Sequence, residues 1–398
     1  MKVRPLACGV VLMTAVVLGV ACAAPGSAPV AAAPAAPPAL PIKPISLDIL
    51  DIAGDLAITK PIIEIYVKAH PRLISGVQYE SGGTVDATGK LQAQQTAGRV
   101  TIHVVLTGIE ALAQMQAQNV ILPLLPAYSS ALPDLRSVMN PGPLTLQQAG
   151  RGYGVLNSGE GDGPLLEYSS SRVGAAPTTP RELLDWAKAH PGRLAYANPT
   201  GGSGPSNEFI DSLPYQLGDS DPSNPAKWDK TWAYLQELNK YTAAYPTKTA
   251  DTFDGLAKSS WDITLASTGW DEQMHQKGSL GDDFQVAAFQ NPHVVVQGHF
   301  LAVPRGVDPD HLAVALDLMS WMLRPDQQAL TFPNYGSFPV KGVALSMATP
   351  EAQGAYLKYG RPAFRATLAS EATPIMPLSG DAVQAMYDQW NTLIGSKK

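Results

Sequence analysis

Val100-Thr101-Ile102-His103-Val104-Val105-Leu106 runs into Thr107-Gly108 and then into Ile109-Glu110-Ala111-Leu112-Ala113-Gln114-Met115-Gln116-Ala117-Gln118. The first run is rich in β-branched residues, Gly108 is a turn residue, and the last run has helical periodicity. Strand, glycine turn, helix is the unit of an α/β sheet, and the same unit occurs twice upstream. Ser46 to Ile52 reads as a strand that reaches Ala53-Gly54-Asp55, and Leu56 to Ala69 reads as a helix closed by His70-Pro71. Gly76 to Tyr79 reads as a strand ending in Glu80-Ser81-Gly82-Gly83-Thr84, with a helix through Leu91. Three such units predict a parallel sheet.

A second series follows Gly159-Glu160-Gly161-Asp162-Gly163-Pro164. Thr179-Pro180-Arg181-Glu182 opens its best-marked helix: Thr179 can cap, Pro180 suits the first helical position, and Glu182 completes a capping box. Arg193 to Ala197 reads as a strand, Asn198 to Pro205 as a glycine-rich turn leading into a helix, and Trp228 to Tyr241 as another helix. Trp261 to Ala266 reads as a strand running into Ser267-Thr268-Gly269-Trp270-Asp271. Two α/β blocks joined near Gly163, and again over His299 to Val303, predict two lobes with a hinge.

The chain has 398 residues, 45 % of them hydrophobic and 16 % charged, with a net charge of -6. This is enough for two cores, and neither the acidity nor any basic run suits a nucleic-acid binder. Lys2 and Arg4 precede an apolar run from about Leu6 to Ala24, and small residues follow. That order is the signature of a secretory signal peptide, with a retained membrane anchor as the rival reading. Ala23 to Pro41 is almost wholly Ala, Pro, Gly, Ser and Val, the composition of an extended tether. Both cysteines, Cys8 and Cys22, fall in this N-terminal stretch, so the body is predicted to use no disulfide or thiol chemistry. Leu18-Gly19-Val20-Ala21-Cys22 resembles a lipoprotein signal, with Gly19 where Leu is preferred; ordinary cleavage after Ala23 or Ala24 fits nearly as well.

In open α/β sheets, ligands collect where strands end and helix N-termini present unpaired N–H groups. Five turns qualify: Gly54-Asp55, Ser81-Gly82-Gly83-Thr84, Thr107-Gly108, Gly201-Gly202-Ser203-Gly204 and Thr268-Gly269-Trp270-Asp271. Singly, each is accounted for as a connection that needs glycine. Clustered on one edge of two lobes, they mark a ligand edge. Trp270 and Asp271 are the sharpest candidates, as an aromatic face and a counter-charge for a cationic solute.

Enzyme signatures fail. Gly83 to Lys90 misses the P-loop spacing and has Leu91 where Ser or Thr should hold magnesium, and no Gly-x-Ser-x-Gly elbow occurs. Asp219 to Asp221 begins like a calcium loop, which Pro222 and Pro225 forbid. His293 and His299 could share one face of a strand, although Gly298 suits an intervening turn. Tyr335 is a further candidate ligand contact.

Several stretches resemble the bacterial extracellular solute-binding proteins of ABC importers. Leu47-Asp48-Ile49-Leu50, Ile62 to Pro71, the Ser81-Gly82-Gly83-Thr84 turn and Val104-Val105-Leu106-Thr107-Gly108 resemble the first lobe, with His103 in place of the usual acid. Gly163-Pro164-Leu165-Leu166-Glu167-Tyr168, Pro177 to Pro199, Trp228-Asp229-Lys230-Thr231-Trp232 and Thr268-Gly269-Trp270-Asp271 resemble a thiamine-type or polyamine-type branch. His299 to Gly306 and Trp321 to Gln328 resemble the return strand and a later helix of the same receptors.

The resemblance implies an α/β, two-lobed periplasmic-binding-protein-like fold with a central ligand cleft and hinge. It implies no catalytic residue, no cofactor, no metal and no nucleic-acid partner. The partners implied are a small-molecule solute, thiamine-like or polyamine-like, and an ABC importer permease outside the cytoplasm. Membrane attachment would come only through a lipid on Cys22. The expected organisation is signal peptide 1–24, tether 25–44, first lobe 45–160, second lobe 161–300, and 301–398 as the return to the first lobe with C-terminal helices. Ligand contacts are expected from the five turns (Gly54, Asp55, Ser81, Gly82, Gly83, Thr84, Thr107, Gly108, Gly202, Ser203, Thr268, Gly269, Trp270, Asp271) and from Tyr335. The alternatives are an oxyanion receptor using helix N-termini, a secreted α/β hydrolase, and a sensor or adhesin that binds without transport.

Overall fold

The computed structural model describes residues 36–397, apart from 53, 160–161, 202, 333–337 and 379. The expected signal peptide, Cys22 and Tyr335 lie outside the described residues. No described helix is long and apolar enough to cross a membrane.

Strands β1 (Ile45–Asp51), β2 (Ile74–Ser81), β3 (Val104–Thr107), β4 (Gly154–Gly159) and β9 (Gly298–Ala302) form one sheet in the order β2-β1-β3-β9-β4. β1 is parallel to β2 and β3, as three strand–turn–helix units require. β9 runs antiparallel to β3 and β4, so the sheet is mixed rather than parallel throughout. Leu47, Ile49, Val104, Val105, Leu106, Phe300 and Leu301 are buried here against helices Leu56–Ala69 and Pro309–Met322.

The second sheet holds β5 (Leu165–Ser169) between β6 (Ile263–Ala266) and β7 (Phe284–Ala287), antiparallel to both. The expected strand at Arg193 to Ala197 is reduced to parallel bridges from Leu194 to Ile263 and Thr242. Its side chains are nonetheless core, with Leu194 and Tyr196 packed beside Phe209, Leu213, Trp228 and Leu235. Thr179 caps helix Pro180–Ala189 as expected, accepting the Glu182 N–H at 3.1 Å. Glu182 answers to Thr178 rather than to the cap residue itself, at 2.8 Å.

The chain passes between the sheets where β4 leads through Gly163 to β5 and where β8 (His293–Val295) leads to β9. These two passages lie side by side, because Gly159 pairs with Gly298. Residues from 301 onward divide between the two bodies. Leu312 to Met322 are buried with the first core. β10 (Thr373–Ile375) pairs with β8, and Val383, Met386, Trp390 and Ile394 of the last helix are buried in the second.

Candidate functional site

A cavity of about 440 Å³ opens between the two bodies. The first contributes Ile52, Gly83, Asp86, Gly108, Glu110, Ala111 and Gln114; the second contributes Thr200, Gly201, Gly204, Asn207, Val383, Gln384 and Tyr387. Gln297 and His299, at the passage between sheets, complete the described wall.

Three helices begin at this wall: Thr84–Thr96 after Gly83, Ile109–Ala117 after Gly108, and Gly204–Leu217 after Ser203. Their first-turn N–H groups lack intrahelical partners and give each start a positive end. Two of them carry their own acid there, Asp86 and Glu110. Glu110 folds back over its helix start, with Oε2 at 3.3 Å from where a Cβ on Gly108 would lie. The third helix has no first-turn acid.

Asp55 lies behind the wall. Its Oδ1 is 3.1 Å from His299 Nδ1 and accepts the Ser158 hydroxyl at 2.9 Å; its Oδ2 accepts from Asn157 Nδ2 at 3.3 Å. An aspartate, a histidine and a serine thus meet, but not in the order of a hydrolase. A triad needs the serine and the carboxylate on opposite ring nitrogens. Here both approach Nδ1, with Ser158 at 3.3 Å, and Ser158 is buried. The cluster ties β4 and β9 to the chain after β1.

The expected site residues divide. Gly83 and Gly108 line the cleft. Gly54 turns with φ +78°, while Ser81 and Gly82 sit exposed at the end of β2. Thr84 starts its helix at the wall. Thr107 is buried, donating to the Gly108 carbonyl at 3.1 Å. Gly202 lies outside the described residues, between Gly201 and Gly204, which do line the cleft. Ser203 is buried, bonded to Ser206 and Thr249. Thr268 Oγ1 accepts the Asp162 N–H at 2.7 Å.

Trp270 and Asp271 have other partners than the cleft. Gly269, at φ +92°, turns the chain into helix Trp270–Gln276. Trp270 stacks on Phe253, with ring centroids 6.2 Å apart. Asp271 is 1 % exposed and held by Arg361 and His275. The pair was expected to meet the solute; neither residue lines the cavity described above, and because the helix begins at once both side chains enter packing instead of a loop. His293 and His299 lie on separate strands, β8 and β9, and His293 stacks on Tyr215.

Sequence reading missed Asp86, Glu110 and Tyr387. The two acids had a signal, each being the first acid after a glycine turn. Tyr387 had none, since its helix lies far along the chain and its periodicity reads as core.

Two groups gather metal-type ligands among the described residues, His103 with the exposed Asp308 and half-buried His311, and the buried Glu167 with Asp271 and His275. Both are internally paired. His311 uses both ring nitrogens, toward Asp308 and the Ser46 carbonyl, and His103 Nδ1 accepts the Asp48 N–H. In the second group the Arg361 guanidinium already supplies a cation to Asp271.

Residues 62–357 match the family of bacterial extracellular solute-binding proteins. The chain belongs to that family. No curated relative was found. This solute-binding protein resembles in fold the spermidine/putrescine ABC transporter substrate-binding protein PotD of Streptococcus pneumoniae. Identity is 16 %, coverage 89 % of this chain and 99 % of that one, and the TM-score 0.61. An ABC transporter substrate-binding protein from Bradyrhizobium japonicum is 18 % identical over 88 % and 99 % of the two chains, with a TM-score of 0.63. An ABC transporter protein from Clostridium perfringens is 14 % identical over 88 % and 99 %, with a TM-score of 0.64. These identities speak for the fold alone. The family is one of receptors, and the geometry of Asp55, Ser158 and His299 gives no support to the hydrolase alternative.

Proposed function

We propose that this protein captures a small cationic solute, polyamine-like or thiamine-like, outside the cytoplasm and delivers it to an ABC importer. The observation that carries the reading is the charge of the cleft: its described wall holds the carboxylates of Asp86 and Glu110 and no lysine or arginine. Oxyanions are usually chelated by guanidinium, and that group is missing from the described wall. The helix starts would otherwise favour an anion, but Asp86 and Glu110 occupy the positive ends of two of the three. Amide side chains of Gln114, Asn207, Gln297 and Gln384 add hydrogen-bonding groups for orientation. The S. pneumoniae protein of similar fold is named for spermidine and putrescine. Export of the chain, with Cys22 as a lipid attachment point, belongs to the same reading.

A thermal-shift screen of putrescine, spermidine, thiamine, sulfate and a phosphonate tests it, since a bound solute raises the melting temperature by mass action. The amines or thiamine should stabilise the protein. Stabilisation by an oxyanion alone would replace this reading with anion capture at the helix starts.

A further inference from the structure

Helix Gly204–Leu217 carries a further, buried carboxylate one turn beyond the cleft-lining Asn207. Asp211 follows Asn207 by one helical turn, so the two share a face, and Asn207 lines the cleft. Asp211 is 5 % exposed; its carboxylate accepts the Leu378 N–H, while Oδ1 has no hydrogen-bond partner. Asn207 donates from Nδ2 to the Tyr387 hydroxyl at 2.9 Å, and its buried Oδ1 likewise lacks a partner. Tyr387 comes from helix Gly380–Leu393, which lies beyond the family-matched span and is rooted in the second core by Met386 and Trp390. From the other body, the Glu110 charge acts on both Asp211 and Tyr387.

Leaving a buried acceptor without a donor is costly, and native structures seldom do so without a reason. Here two such atoms belong to residues one helical turn apart, one of which also holds the Tyr387 phenol. A primary ammonium brings one positive charge and three N–H donors, which suits that set.

We propose that Asp211, Asn207 and Tyr387 form a primary-ammonium subsite in the second lobe, covered by Glu110 of the first. This deepens the cationic reading and rests on it. Burial first, and then the Glu110 charge, raise the Asp211 carboxyl well above the ordinary range. Among the described residues, no lysine or arginine opposes this. The other ionisable neighbours are Tyr387 and Tyr215, and Tyr215 stacks on His293 of β8. Before the solute arrives, Asp211 therefore holds its proton to a higher pH than an ordinary aspartate does. The incoming R–NH₃⁺ retains its three protons, and the Asp211 proton passes to buffer. Binding tightens as pH rises toward the Asp211 pKa.

Isothermal titration with putrescine and spermidine, in phosphate and in Tris at several pH values, tests this. The expected results are affinity rising by up to about tenfold per pH unit and an enthalpy that differs between buffers by the heat of one released proton. Asp211→Asn, nearly isosteric, should remove both effects and weaken binding at least about tenfold. Glu110→Gln should weaken binding yet keep the buffer dependence. As a control that needs no variant, the bis(trimethylammonium) analogue of putrescine has no N–H to give and should bind at least about tenfold more weakly. Wild-type affinity and buffer dependence in a folded Asp211→Asn protein overturn the subsite; if Glu110→Gln still weakens binding, the cationic reading survives. If the wild type binds neither amine, the subsite falls; if it binds no thiamine either, the cationic reading falls with it.

Discussion

Arg361 closes on Asp271 across ninety residues of chain, with Nε to Oδ2 at 2.6 Å and Nη2 to Oδ1 at 3.2 Å. The arginine sits in the left-handed region at φ +44°, between helices Pro350–Tyr359 and Pro362–Glu371. One helical turn on, Arg365 Nη2 lies 2.6 Å from Glu272 Oε1. The acidic start of helix Trp270–Gln276 is thus clamped by two arginines of a late segment. Removing one partner of a buried pair leaves the other charged and dry, at a cost of about 3–5 kcal/mol. Arg361→Gln should lower the urea midpoint accordingly while leaving amine affinity at low denaturant near wild type. Unchanged stability would show that the clamp is solvated in solution.

The same cluster sets a pH dependence. Burial disfavours a charged His275, but its hydrogen bonds to Asp271 and Glu167 outweigh this and raise its pKa to about 9. A raised histidine stabilises the fold fully below its unfolded value near 6.5, and this is lost as pH climbs through 9. Denaturant titrations should show stability falling between about pH 6.5 and 9 by on the order of 2–3 kcal/mol. His275→Gln should flatten that window. A wild-type curve already flat there would remove the charged histidine.

Glu272 should act over a lower range. Burial first, opposed in part by Arg365, pushes its carboxyl up to about 7. Because the folded value is the higher one, its contribution is favourable below the unfolded range and is lost as pH rises toward 7. Glu272→Gln should therefore reduce the loss of stability between about pH 4.5 and 7. An unaltered slope in the variant would locate that loss elsewhere.

In the cleft, position decides how much each acid is worth. Glu110 is half-buried and Asp86 is exposed. Charged hydrogen bonds in partly dry sites contribute about 1.5–3 kcal/mol, whereas exposed ion pairs contribute about 0.2–1 kcal/mol. Glu110→Gln should weaken amine binding roughly ten- to a hundredfold, and Asp86→Asn only a fewfold. The reverse order by calorimetry would move the cation toward the mouth.

The passage strands leave no room for a methyl group. A Cβ on Gly298 would lie 2.6 Å from the Ser158 carbonyl oxygen and 2.8 Å from Leu156 Cδ1. One on Gly163 would lie 1.9 Å from Glu208 Oε2. Gly298→Ala must displace backbone, so it should lower the melting temperature and loosen the β4–β9 pairing seen by amide exchange. Gly174→Ala, at a glycine with open space around it but φ +70°, is the comparison that reports backbone strain alone.

Much of the architecture was legible because strand, glycine turn and helix carry local chemistry. Leu47 to Leu50, Val104 to Thr107 and the Thr179 cap all declare themselves within a few residues. The site was legible only in part. Gly83 and Gly108 could be located because helix starts are local. Asp271 looked like a ligand because its partner, Arg361, is ninety residues away and no local pattern announces it. Tyr387 was invisible for the converse reason: it meets Asn207 only after the chain has crossed between bodies again.

Helix Gly380–Leu393 has a consequence for assembly. Trp390 and Ile394 are buried in a core whose first members appear near Leu166. Phe300 to Leu323 complete the other core, begun at Leu47. Each body is therefore a sandwich of early and late chain, and neither can seal its apolar interior until the late chain arrives. A chain cut short of Trp390 would leave the second core without the side chains that close it.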